Sequence, residues 1–153
     1  MGSLETRIPP PLVAVAFMVL MGLSSLRLPP LTIPTTPRVA LAVVIAMVAV
    51  FFSVAGAIAF RRAQTTVNPL HPEKASALVT TGVFNVSRNP MYVALALALL
   101  AWTVYLASPV LLLGPLAFIA YINRFQITPE EKALDTLFGS SYAAYKARVR
   151  RWL

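Results

Sequence analysis

The 153-residue chain contains no cysteine, one histidine (His71) and one aspartate (Asp135). Without cysteine there are no disulfides, thiolate nucleophiles or Cys-ligated metals. A single histidine and a single aspartate exclude multi-histidine zinc sites and aspartate dyads, so no metal site is expected. Charge is scarce as well, at 12% Asp, Glu, Lys and Arg, against about 25% in ordinary soluble domains. Such a chain cannot cover a water-facing surface, which excludes an ordinary cytosolic enzyme. Disorder is excluded on the same ground, because disordered chains are polar and highly charged. The six glycines form no G-x-G-x-x-G fingerprint, so a Rossmann-type dinucleotide turn is absent.

The chain is rich in apolar residues, which make up 58% of it and give a mean hydropathy of +0.75. They fall into four runs, at about 11–26, 39–60, 91–107 and 110–127. The second is 22 residues, about 33 Å as a helix against a hydrocarbon core of about 30 Å. The first is 16 residues, marginal for a span, and is followed by Arg27-Leu28-Pro29-Pro30 rather than a small-residue cleavage site; a removable signal peptide is not expected. Only Ser108-Pro109 separates the third and fourth runs, which predicts a tight antiparallel hairpin. The expected fold class is all-α: an integral, multi-pass membrane protein of one domain (1–153), with four spans and a C-terminal amphipathic helical segment in the cytoplasm. No strands or internal repeats are expected.

Net charge is +8, yet the basic residues lie between the apolar runs and at the C-terminus. No basic face with interleaved aromatics stands outside the tail, so nucleic acid is not an expected partner. With both termini cytoplasmic, eleven Lys and Arg lie inside and only Arg27 and Arg38 outside, as the positive-inside rule requires. Arg61-Arg62 reads as a topology anchor and His71, beside Pro72, as a loop residue. Both polar stretches, 61–90 and 128–153, then emerge on the cytoplasmic side.

These stretches hold the candidate chemistry, and each element carries two readings. Asn89-Pro90 can simply start the third span, with Asn as N-cap and Pro at the first helical position. The same geometry, with Arg88 alongside, can bind an anion at a helix N-terminus. Thr128-Pro129-Glu130-Glu131 is spaced as a capping box. Glu130 and Glu131 are also two of only five acidic residues, placed at the membrane boundary where carboxylates are functional candidates; they could hold an ammonium or a ribose diol. Tyr142, Tyr145, Val149 and Trp152 share one helical face with Lys146, Arg150 and Arg151 nearby. That pattern fits a helix lying on an anionic leaflet, or a lid over a site.

TTGVFNVSRNPMY (80–92) and EEKALDTLFGSSYAAYKARVRRWL (130–153) resemble the paired motifs of the membrane methyltransferase superfamily that includes isoprenylcysteine carboxyl methyltransferases and phospholipid N-methyltransferases. The likeness covers roughly 65–153, in the right order around a two-span hairpin. It implies S-adenosylmethionine bound from the cytoplasm, with Gly82, Phe84, Asn89, Pro90, Tyr92, Glu130 and Glu131 contributing to the cofactor pocket. Arg88, Tyr92 and Glu131 would be the catalytic residues. The implied acceptor is a lipophilic, membrane-associated molecule, in a prokaryotic cytoplasmic membrane. The carboxyl methyltransferases usually show His where Asn89 stands and Arg where Gln126 stands. Gln lacks the charge and planar fork that would clamp a carboxylate, so a neutral amine, thiol or hydroxyl is the expected acceptor. The alternatives are a non-enzymatic structural or lipid-binding membrane protein, and a membrane reductase of similar C-terminal fold using a nicotinamide cofactor. A transporter is disfavoured, because spans two to four carry no charged relay.

Overall fold

Proline punctuates this chain wherever a helix begins. Pro10 opens α1 (Pro10–Ser25), Pro37 stands in the first turn of α2 (Thr35–Arg62), and Pro90 opens α3 (Pro90–Leu106). In a helix's first turn the missing N–H costs nothing and the fixed φ is already helical. A 3-10 turn, Pro109–Leu112, leads into α4 (Leu113–Ile122); the π-helical turn Asn123–Ile127 joins α4 to α5 (Thr128–Arg148). The computed structural model describes residues 8–63 and 77–153, and among these every regular element is helical. His71 lies outside the described residues.

The helices follow the expected runs closely. α3 ends on Ala107 in the left-handed conformation, and the 3-10 turn then reverses the chain into the expected hairpin. α1 packs on α3 and α4, and α2 packs on α3. The main core lies between α1, α3 and α4, where Leu99, Phe118, Ile122 and Ile127 are fully buried with Val13 and Met21. Phe17 meets Phe118 edge-on at 6.0 Å. In α2 the buried residues are Ala42, Ala49 and Gly56, one every seven positions. Small residues on one seam let two backbones approach closely, as membrane helices do. Much of α2 faces outward: Leu41, Val44, Met47, Val50, Phe51 and Val54 are exposed.

Two helical stretches are long and apolar enough to cross a membrane, namely Thr35–Arg62 and the apolar part of Pro109–Arg148. The other two apolar helices, α1 and α3, have 16 and 17 residues. At 1.5 Å per residue they reach about 24–26 Å, short of a core of about 30 Å.

The structure corrects two local expectations. Thr128 and Glu131 do not form a capping box, because no helix starts there. The chain is already helical at Ile127, and the Thr128 hydroxyl donates instead to the Asn123 carbonyl at 2.7 Å. Pro129 has no N–H to give the Phe125 carbonyl, which favours a locally widened helix. The tail is also not one helical face laid on a leaflet. The helix ends at Arg148 and Val149 is extended. Tyr142, Tyr145 and Val149 are buried with Val79, Val83 and Phe84 in a second core cluster, so the aromatic face packs on the chain itself. Gly139 makes this possible: at φ 47°, ψ −119° it breaks α5 into two helical halves, a conformation closed to residues with a Cβ.

Candidate functional site

At the start of α3 the chain runs through Thr81, the 3-10 turn Gly82–Asn85 and the segment Ser87–Asn89. Gly82 takes φ 62° to open that turn and stands exposed, with nothing within 4 Å of where a Cβ would lie. Phe84 is buried, its ring edge-on to Phe60 at 5.2 Å and its carbonyl accepting from the Tyr145 hydroxyl at 2.7 Å. Asn89 occupies the N-cap position and its carbonyl accepts from the N–H groups of Tyr92 and Val93. Its side chain makes no cap, however. The amide donates to the Arg151 carbonyl at 2.9 Å, so the side-chain capping expected of Asn89 is replaced by a link to the tail.

That link is one of several. The Arg88 N–H donates to the Arg150 carbonyl at 3.0 Å, and the Ser87 hydroxyl donates to the Arg151 carbonyl at 3.4 Å. The Trp152 indole donates to Asn123 Oδ1 at 3.1 Å. The last residues of the chain therefore bind the start of α3 to the π-helical turn before α5, bringing Arg88–Tyr92 and Glu130–Glu131 together.

Two side-chain pairings define the centre. The buried Tyr92 hydroxyl donates to the Glu130 carboxyl. Glu131 stands between two arginines: Arg151 donates from Nε to Oε1 at 3.1 Å and from Nη2 to Oε2 at 2.5 Å, a bidentate fork. Arg88 Nη1 lies 3.1 Å from Oε1, at ion-pair distance without hydrogen-bond alignment, and Arg88 Nε is buried with no hydrogen-bond partner among the described residues.

Burial pushes Glu130, just beyond the fourth apolar run, up to about 8. The Tyr92 hydrogen bond works against that rise and the charge of Glu131 adds to it. Tyr142 is pushed up to about 12, by burial first and by Glu131 next, with Arg88 opposing. Burial also raises Tyr145, and Tyr142 beside it adds to the effect. Near neutral pH the site thus presents a protonated carboxyl on Glu130, neutral phenols, and an ion-paired Glu131.

Of the residues expected at the site, Arg88, Asn89, Tyr92, Glu130 and Glu131 converge, whereas Pro90 is buried beside Gly56 of α2, Phe84 sits in the second core cluster and Gly82 stands exposed. Sequence reasoning missed Arg151 as the partner of Glu131 and Trp152 as the partner of Asn123. The signal available was the basic end of the second motif. Among the described residues no cluster of His, Asp and Glu could hold a metal.

The chain belongs to the phospholipid methyltransferase family, whose model matches residues 37–141, more than half of its length. The expected membership of the membrane methyltransferase superfamily is thereby borne out, and the match includes both Arg88–Tyr92 and Glu130–Glu131. A Haemophilus influenzae protein described as uncharacterized is 51% identical over 63 residues, which is 41% of this chain and the whole of that protein. No solved structure matches the chain.

Proposed function

We propose that the chain is an S-adenosylmethionine-dependent methyltransferase acting on a lipophilic, membrane-associated acceptor. In this reading all 153 residues form one domain with four spans and both termini on the cytoplasmic side of a prokaryotic cytoplasmic membrane. The observation that carries it is the convergence of Tyr92–Glu130 and Arg88–Glu131–Arg151 at the N-terminus of α3, in a chain of a methyltransferase family. The exposed apolar side of α2 supports the membrane placement. So does the stacked Trp102–Tyr105 pair at the far end of α3, where an aromatic belt belongs. The shorter α1 and α3 fit by local thinning of the bilayer.

The residues present suit the cofactor. Glu130 and Glu131 offer carboxyl oxygens for hydroxyl or ammonium groups. The N–H left over on Arg88 Nε suits a carboxylate, and the α3 N-terminus favours the same sign of charge. When bound, the cofactor supplies a methyl group already activated by its sulfonium leaving group. The protein then has to align and desolvate, and alignment can contribute on the order of 7–11 kcal/mol in favourable cases. Tyr92 and Glu130 hold a proton between them at the edge of the apolar core. Asn89 and Arg151 fix the backbone at the start of α3, and Glu131 keeps both arginines in place.

The acceptor is a neutral amine, thiol or hydroxyl. Gln126 is fully buried and its amide donates to the Ile8 carbonyl at 2.8 Å, so it is committed to tying the N-terminal segment to the π-helical turn. In this reading the spare Arg88 Nε–H is taken by the cofactor carboxylate and Arg151 is committed to Glu131, which leaves neither to pair with a substrate carboxylate, and burying that group unpaired is costly. The test is to supply the purified protein with methyl-labelled S-adenosylmethionine and, side by side, phosphatidylethanolamine, a hydrophobic thiol and a farnesylcysteine carboxylate. Label in one of the first two is expected. Label in the farnesylcysteine alone would overturn the acceptor assignment.

A further inference from the structure

At the opposite end of α3 from this site lies a groove of about 350 Å³, lined by Leu31, Arg38, Leu41, Val104, Ser108 and Leu112 among others. One wall is the segment after α1, held by the Leu31 N–H donating to the Ala107 carbonyl at 2.7 Å. The other walls are the start of α2 and the α3–α4 turn. The lining is almost wholly apolar, yet two polar groups on it lack partners among the described residues. Arg38 Nε is buried without a hydrogen-bond acceptor, and so is the hydroxyl of Ser108, a residue only 2% exposed.

Both unmatched groups can donate, and one is a cation. Buried donors without acceptors are costly, and the cost is removed when a ligand supplies them. A ligand for this groove therefore has acceptor oxygens carrying negative charge joined to a long apolar chain. In the proposed topology Arg38 stands at the outer membrane boundary, where phospholipids present that combination. We infer that the groove holds a resident phospholipid, its phosphodiester on Arg38 and Ser108 and an acyl chain along Leu31, Leu41, Val104 and Leu112. This lipid is not the methyl acceptor, because the length of α3, about 25 Å, separates it from Glu130 and Glu131. The inference rests on the membrane placement and is independent of methyl transfer.

The experiment uses the purified full chain in neutral detergent with phosphatidylglycerol carrying a photoreactive acyl chain, followed by peptide mapping. Adducts are expected on residues 31–41 and 103–112. Arg38→Gln should lower them about tenfold, Ser108→Ala several-fold, and Arg27→Gln should leave them unchanged. Two competitors separate the sources: a photoreactive diacylglycerol with the same chains should label the groove weakly, and excess inorganic phosphate should not displace the lipid. Equal labelling by the diacylglycerol, displacement by phosphate, or adducts lying mainly outside residues 31–41 and 103–112 would each overturn the inference. If Arg38→Gln fails to fold, Ser108→Ala decides, since it removes only an unpartnered hydroxyl; unchanged labelling there is equally contradictory.

Discussion

Glu131 illustrates how differently a side chain reads in a string and in a fold. As the fourth residue of TPEE it fits a capping box, whose loss costs about 1 kcal/mol. In the structure it carries two guanidinium groups, on Arg88 and Arg151. Glu131→Gln should therefore cost about 1.5–3 kcal/mol, the range for charge-assisted hydrogen bonds, read as a lowered thermal midpoint in detergent. Arg151→Gln should cost less, below about 1 kcal/mol, because the Arg151 side chain is 39% exposed and solvent screens the pair. Equal losses in the two variants would show that the Arg151 fork carries the whole effect and that Arg88 adds nothing. Glu130 gives a pH test. Its carboxyl is raised from 4.5 to about 8 in the fold, so the native state holds a proton that the unfolded chain releases. Stability from this group is complete below about 4.5 and is lost as pH rises towards about 8. Glu130→Gln should flatten that part of the pH–stability curve, and an unchanged slope would remove Glu130 as its source. The acids themselves were legible, being two of five in the chain and adjacent. Arg151 was not, since its contact with Glu131 spans 20 residues and a bend that no local pattern announces.

Hydropathy located the helices well, because long apolar runs bounded by Pro and Arg leave little choice of element. It failed at the joints. Nothing in NRFQITP declares a π-helical turn, which follows from Pro129 and the Thr128 hydroxyl acting together. The tail misled in the same way: Tyr142, Tyr145, Val149 and Trp152 keep helical spacing, but Gly139 redirects the segment and the helix ends before Val149. This bend carries its own prediction. Gly139→Ala forces a side chain into a backbone region that costs about 1–3 kcal/mol, and it should destabilise the protein by that amount. It should also loosen the Tyr145–Phe84 link, seen as faster hydrogen exchange over 82–89. A fully stable Gly139→Ala variant would mean that the bend is not required.

The molecule as a whole places its polar chemistry at one end of an apolar bundle, and the proposed topology gives that end to the cytoplasm. Because the chain has no cysteine, single introduced thiols report sidedness without background. Thr32 and Ser140 are both exposed. Thr32→Cys should react with an impermeant maleimide on intact cells, and Ser140→Cys only after permeabilisation; the reverse pattern would invert the topology. The positions of the helices were readable from hydropathy alone. The convergence of residues 87–92, 123–131 and 150–152 was not, because hydrogen bonds to backbone carbonyls of the tail produce it, and any sequence supplies such carbonyls. The most direct measurement of the central claim is calorimetric binding of S-adenosylhomocysteine to the purified protein and to folded Glu131→Gln. One site per chain is expected, weakened roughly 10- to 150-fold in the variant, the equivalent of a lost charge-assisted contact. Absence of binding to the unsubstituted protein, or equal affinity in the two, would contradict it.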